Sequence, residues 1–276
     1  YLFCLPAIVF FVLFKIYPIL NCFALSFREY QLAAGPFVGF ANYARILGDD
    51  VFWLALVNTT VAVVSVTSAG TVIGYIFALF LSEDFIGCRL YRTLFFLPVV
   101  TSVTVISLVW KILYNPAPFG FFNSILSFFK IPPQGWLSTP DQALFSLILP
   151  LIWQISGYNM VIFIAAIRSI DFTLLEAAEA EGASFWQKVW YVIIPSTRYA
   201  ITMVVILAVL RTYRLFVPVY VMTFGDPDHH TETIATWMFK QSFRFWDMGY
   251  GSAISVVLFL IIMILTIAQL RLTREA

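Results

Sequence analysis

Six stretches of the chain stay apolar far longer than a soluble helix or strand does: 2–25, 52–81, 91–113, 143–167, 199–224 and 252–270. About 20 predominantly apolar residues suffice to cross a hydrocarbon layer as a helix, the element that satisfies every backbone N–H and C=O within itself. The alternative, a water-soluble core, fails on composition. Of the 276 residues, 61% are hydrophobic and 11% are charged, against roughly 45–50% and about 25% in soluble domains. The expectation is an all-α membrane protein with six helices, a single transmembrane domain over 1–276 set in a lipid bilayer. A net charge of +1 leaves no basic surface for a nucleic-acid partner. Cys4, Cys22 and Cys88 sit in or beside apolar runs without paired spacing, and read as small buried hydrophobes.

Pro6, Pro18, Pro98, Pro150 and Pro218 interrupt the runs. Membrane helices tolerate such breaks where neighbouring helices or water satisfy the freed backbone, so repeated breaks point to an interior cavity. Orientation is not set by charge. The side holding 82–90, 168–198 and both ends carries seven Lys/Arg, and the opposite side carries six, too even for the positive-inside bias to decide. On that opposite side, 111–142 and 225–251 are expected as long loops. Phe119, Phe121, Phe122 and Trp136 suit headgroup depth, and the apolar spacing within 231–245 suits a short helix lying on the surface. No internal repeat is visible, which disfavours a carrier built from two related halves.

The segment 169–198 carries the most information. Asp171 suits an N-cap, Leu174 through Glu181 favour helix, and Gly182 suits the left-handed position that ends one. Ser184 and Gln187 have capping-box spacing for a second helix, which Pro195 is expected to end. The spacing predicts a helix–glycine–helix elbow between the fourth and fifth runs. The sequence Glu176-Ala177-Ala178, three residues, Gly182, nine residues, Val192-x-Ile194-Pro195 resembles the EAA loop of ABC importer permeases. Val192 and Ile194 stand where that motif has Ile and Leu. The resemblance extends over nearly the whole chain, to the MalF/UgpA-like carbohydrate permeases. It includes Ile16-Tyr17-Pro18, Val38-Gly39-Phe40-Ala41-Asn42-Tyr43, Arg92 through Pro98 and Gly249-Tyr250-Gly251-Ser252-Ala253. Thr223-Phe224-Gly225-Asp226-Pro227 departs from the Gly-Gly that the family often has before that proline.

The resemblance implies the type I ABC importer transmembrane domain, with the elbow and both termini in the cytoplasm of a bacterial or archaeal cell. Glu176, Ala177, Ala178, Gly182 and Pro195 would form the coupling element that docks on an ATP-binding cassette ATPase. Two ATPase subunits binding ATP and Mg²⁺, a second and distinct permease subunit and an extracytoplasmic solute-binding protein are the implied partners. This chain itself is expected to hold no cofactor and to catalyse nothing, since none of its five lysines follows a glycine as a phosphate-binding loop requires. The substrate expected from the resemblance is a mono- or oligosaccharide or a sugar derivative.

Intramembrane charge points to where that substrate would bind. Arg211 and Arg214 fall in the fifth run three residues apart, on one helix face. They suit either a salt bridge or carbonyl contact that holds helices together, or a cavity-facing site. The family's sugar-contacting positions map to Tyr158 and Asn159 on the fourth span and to Arg211, Thr212 and Leu215 on the fifth. Two guanidinium groups would match an oxyanion, though they also donate to neutral hydroxyls.

Three further features read as structural. Gly70-x-x-x-Gly74 suits close helix packing; His229-His230-x-Glu232 reads as a solvated loop with too few ligands for a metal; Lys15 can snorkel. The competing readings are a permease of the same type for another solute, such as a phosphate ester, and a structural membrane subunit that moves nothing. A secondary carrier would want carboxylates within the spans, and none lies well inside any of the six.

Overall fold

The computed structural model describes residues 2–31 and 33–275. Helix α1 (Leu5–Ser26) leads into a hairpin of β1 (Arg28–Gln31) and β2 (Ala33–Phe37), paired antiparallel with Arg28 opposite Phe37. After α2 (Ala41–Leu47) comes α3 (Asp50–Leu81), capped by the Asp49 carboxylate, which accepts from the Val51 and Phe52 N–H groups at 3.0 and 3.1 Å. Helices α4 (Cys88–Val100) and α5 (Val103–Leu113) meet at a 100° bend. Next are α6 (Phe121–Phe128), α7 (Pro140–Arg168), α8 (Phe172–Ala180), and α9 (Phe185–Ser196), which bends 70° into α10 (Arg198–Tyr213). The chain closes with α11 (Val217–Met222), α12 (Ile234–Phe239) and α13 (Met248–Glu275). By length and composition α1, α3, α7 and α13 can each cross a membrane, and counting each bent pair as one span makes six among the described residues.

Two expected spans need correction. The run 91–113 is not one straight helix, because Pro98 lies inside α4 and the chain turns at Thr101 and Ser102. The fifth span begins earlier than 199, in α9, and stops at Tyr213, while 214–216 are non-helical. Pro218 in the first turn of α11 disfavours helical backbone just before it, so the helix cannot run through. Prolines elsewhere are accommodated by widening: π-helical turns at Val12–Ile16 and Val189–Ile193 precede Pro18 and Pro195. A wider turn makes room for a ring that would otherwise strike the carbonyl one turn back. The helix that carries Pro195 ends one residue beyond it, at Ser196.

Glycines set the packing of the middle layer. A Cβ at Gly74 would lie 2.9 Å from the Ser156 carbonyl oxygen, and one at Gly70 would lie 2.2 Å from Ile155 Cγ2, so the pair brings α3 hard against α7. On another face of α7, a Cβ at Gly157 would sit 2.1 Å from the Phe95 carbonyl oxygen, which fixes how closely α4 approaches. At the elbow end, Asp84 accepts from Arg168 at 2.9 Å and Arg92 at 3.1 Å, tying α7 and α4 to the end of α3.

At the opposite end the segment 225–247 is no solvated loop with a surface helix. Ile234, Ala235, Thr236 and Trp237 are buried, and so are Glu232 and Lys240. Glu232 Oε2 pairs with Lys240 Nζ at 2.5 Å and with His229 Nδ1 at 3.0 Å, while Asn58 donates to the Glu232 and His229 carbonyls. Pairing through Oε2 offsets the cost of taking this carboxylate and ammonium out of water, while Glu232 Oε1 is left without a hydrogen-bond partner. Among the described residues no His, Cys, Asp or Glu cluster could hold a metal ion.

Candidate functional site

The two broken helices face one another across a cavity of about 720 Å³. One wall is the end of α4 and the Thr101 bend, another is α7 from Leu151 to Tyr158, and the third runs from the end of α10 through 214–216 into α11. Five of the six residues expected at a substrate site line it: Tyr158, Arg211, Thr212, Arg214 and Leu215. The sixth does not. Asn159 is one position, about 100°, round the helix from Tyr158, and its buried side chain packs against Gly74 of α3 with Nδ2 unpartnered. Thr212 lines the cavity but is largely buried, and its hydroxyl donates to the Ala208 carbonyl at 2.9 Å, leaving only its lone pairs for a ligand.

The arginines end a helix and do not interrupt one. Arg211 is in the last turn of α10 and Arg214 is its C-cap, where the negative end of the helix dipole favours a cation. The Arg211 guanidinium lies 4.5 Å from the centroid of the Tyr158 ring. Among the described residues neither arginine forms an ion pair, so the structural salt bridge weighed for them is absent. Both are exposed.

Sequence reasoning missed two polar residues of the lining, Gln154 and Thr101. Gln154 lies four residues before Tyr158, on the same helix face, and that spacing was a readable signal. It donates through Nε2 to the Pro98 carbonyl at 3.1 Å, and Thr101 Oγ1 donates to the Leu97 carbonyl at 2.9 Å. The ending of α4 leaves those carbonyls without helical donors, and the two side chains supply them. Across the cavity the Leu215 carbonyl accepts from the Thr233 hydroxyl of the buried outer segment at 2.9 Å.

The second candidate surface is the elbow. The Asp171 side chain accepts from the Thr173 N–H at 3.0 Å, opening α8, and this bond holds its carboxyl below the usual carboxylate range. Helix α8 closes in a Schellman turn: Ala183 N–H donates to the Ala178 carbonyl at 3.0 Å and Gly182 N–H to Glu179 at 2.9 Å, with Gly182 at φ +79°. Ser184 and Gln187 then form the capping box that starts α9. Glu179 pairs with Lys188 at 2.5 Å across the bend. Glu176, Ala177 and Gly182 are exposed and Ala178 is half-buried, so four of the five expected coupling residues share one projecting elbow. Pro195 lies apart from them, near the far end of α9, where it shapes the bend into α10.

Residues 70–275 match the family model described as binding-protein-dependent transport system inner membrane component. Over 270 residues the chain is 32% identical to the arabinooligosaccharides transport system permease protein AraP of Halalkalibacterium halodurans, spanning 97% of this chain and 85% of that protein. Over 277 residues it is 31% identical to the trehalose/maltose transport system permease protein MalF of Thermococcus litoralis, spanning 99% and 93%. It superposes with a TM-score of 0.90 on a chain of a bacterial ABC transporter involved in the import of the acidic polysaccharide alginate, covering 100% of this chain and 94% of that one. With 19% sequence identity between those two, the likeness is one of fold.

Proposed function

The chain belongs to the family of binding-protein-dependent transport system inner membrane components, and from that premise we propose that it is one of two permease subunits of an ATP-driven sugar importer. The sugar reading draws on the relatives, whose names assign them arabinooligosaccharides and trehalose or maltose. In this reading the chain lies in the cytoplasmic membrane of a bacterium or archaeon, with the elbow on the inside. Its cavity forms half of a pathway that a second, distinct permease completes. An extracytoplasmic solute-binding protein delivers the sugar, and ATP with Mg²⁺ is bound and hydrolysed on two partner ATPase subunits.

One observation carries the reading: a single chain presents a self-capped, exposed elbow and a cavity that sets a few polar side chains among apolar ones, with helices leading from the one to the other on both sides of the elbow. Backward from the elbow, α7 runs from Arg168 to Tyr158; forward, α9 and α10 run through one bend to Arg211. The small side chains of Ala177 and Ala178 permit close approach of a partner, and Glu176 offers it a charge. Closure of the ATPase pair would move the elbow and, through those helices, the cavity walls. The chain binds and re-orients its cargo; the chemistry that drives it belongs to the partner.

The test is to purify the tagged chain from its native membrane in mild detergent, with a photocrosslinker at Ala177. The expected result is recovery of an ATPase, a second permease and a binding protein, with the ATPase crosslinked at the elbow. A monodisperse chain recovered alone, with no crosslink even in intact membranes, would sink the proposal.

A further inference from the structure

The cavity holds two cations without counter-charge. A charged side chain is costly to place at membrane depth, yet no Asp or Glu is among the residues lining it. The C-terminal dipole of α10 and the Tyr158 face offset part of that cost, and neither neutralises a full charge. Stacking on Tyr158 also has a geometric effect. A guanidinium laid over an aromatic face keeps its N–H donors in its own plane and free at its edge. Arg211 is thus held against the Tyr158 ring at the cavity wall, and Arg214, three residues on, lines the same cavity.

We propose that the cavity takes an anionic saccharide, whose carboxylate, sulfate or phosphate group is bound by the guanidinium groups of Arg211 and Arg214. The proposal rests on the sugar-importer reading above and narrows its substrate class. Each of these oxyanions can accept from a guanidinium through two of its oxygens, and the charges cancel as closure removes water. A neutral sugar would leave both cations unbalanced in the same dry space, where an unpaired charge costs most. The remaining lining suits a sugar ring. Gln154 spends its Nε2 on the Pro98 carbonyl and keeps Oε1 as an acceptor for a hydroxyl, and Thr212 offers lone pairs only. Apolar lining from Leu151, Leu207, Leu210 and Phe216 packs against ring C–H groups. The volume of about 720 Å³ falls within the 300–1,000 Å³ range of ordinary ligand sites.

The experiment uses the complete importer, reconstituted in proteoliposomes with its companion permease, ATPase and binding protein. ATP-dependent uptake is measured for mono- and digalacturonate, glucose 6-sulfate and glucose 6-phosphate, and for the neutral galactose, galactobiose and glucose. The wild type is expected to import a member of the anionic set, and which one tells carboxylate from sulfate from phosphate. The R211Q/R214Q variant is expected to lower that uptake by about tenfold or more, the loss of a charge-assisted hydrogen bond, and R211K/R214K to recover part of it. Import of neutral sugars alone, untouched by R211Q/R214Q, overturns the charge assignment and leaves the sugar importer standing. Equal loss of anionic and neutral uptake also overturns it, because the arginines would then serve the interface with the companion. Import of neither set by an assembled, ATP-hydrolysing complex overturns the sugar reading itself and this proposal with it.

Discussion

At the scale of single residues, the elbow is governed by local rules. Gly182 adopts φ +79° with nothing within 4 Å of where a Cβ would be. Substitution there meets only backbone strain, about 1–2 kcal/mol for an L-residue in the left-handed region. The G182A variant is expected to loosen the elbow by that amount and to lower co-purification of the ATPase, while thermal unfolding of the spanning bundle stays where it was. Asp84 offers a test by pH. The hydrogen bond from Arg168 is the main cause that holds its carboxyl below the usual range, with Arg92 adding to it. A carboxylate with a depressed folded pKa stabilises the fold above its unfolded value, near 4, and loses that contribution as pH falls through the folded value. The difference in melting temperature between wild type and D84N should therefore be constant from about pH 7 to 5 and close below about 4. It should be small, because the group is exposed to solvent. The elbow was readable from sequence because caps and a C-terminal glycine act within a few residues of themselves. Asn159 was not: its type suits a binding site, but its direction depends on which side of α7 faces α3.

At the scale of elements, contacts between helices decide what the cavity looks like. The Gly157 position sets the distance between α7 and α4, and α4 leads directly into the Thr101 wall. A methyl group there would strike the Phe95 carbonyl, which is backbone and cannot rotate away. The G157A variant should lose about 1–3 kcal/mol of stability, as overpacked sites do, and G70A should lose less, since its nearest obstacle is the Ile155 side chain. Thermal unfolding of the two purified variants in one detergent checks the order. The bends were half legible. Pro98 and Pro218 announced interruptions, but the first turn comes three residues after its proline and the second break begins before its own. The hairpin at Arg28–Phe37 left no period to read in so short a run. The outer segment misled because Glu232, Lys240 and four threonines in 223–236 read as surface. They pair partly with one another, Lys240 with Glu232 and Thr233 with Thr236, and partly with partners far along the chain that no local pattern reveals: Asn58 for the Glu232 carbonyl, Leu215 for Thr233 and Thr59 for the Ile234 N–H.

At the scale of the whole molecule, the two candidate surfaces are served by the same helices: the elbow lies between the end of α7 and the start of α9, and the cavity lies at the middle of α7 and the end of α10. The Tyr75 and Thr197 hydroxyls lie 2.8 Å apart at the bend between α9 and α10, fastening the turning point to α3. A push on the elbow therefore meets a hinge anchored to the middle layer before it reaches Arg211. The T197V variant should keep the fold, losing about 1–3 kcal/mol because the Tyr75 hydroxyl and the Ile193 carbonyl both lose a partner, and should raise ATP hydrolysis without matching transport in the reconstituted importer. The first helix stands outside this scheme. Every described residue of α1 as far as Asn21 is exposed, and only its last turns touch the chain, where Phe23 meets Phe259 edge to face and Ser26 meets Tyr43. Lipid accepts such a surface without cost. Most of α1 thus answers to no neighbour of its own, and its spelling can drift under duplication without disturbing the bundle. Apolar substitutions along that stretch exchange one lipid-compatible surface for another, so the melting temperature of the bundle is expected to stay where it was.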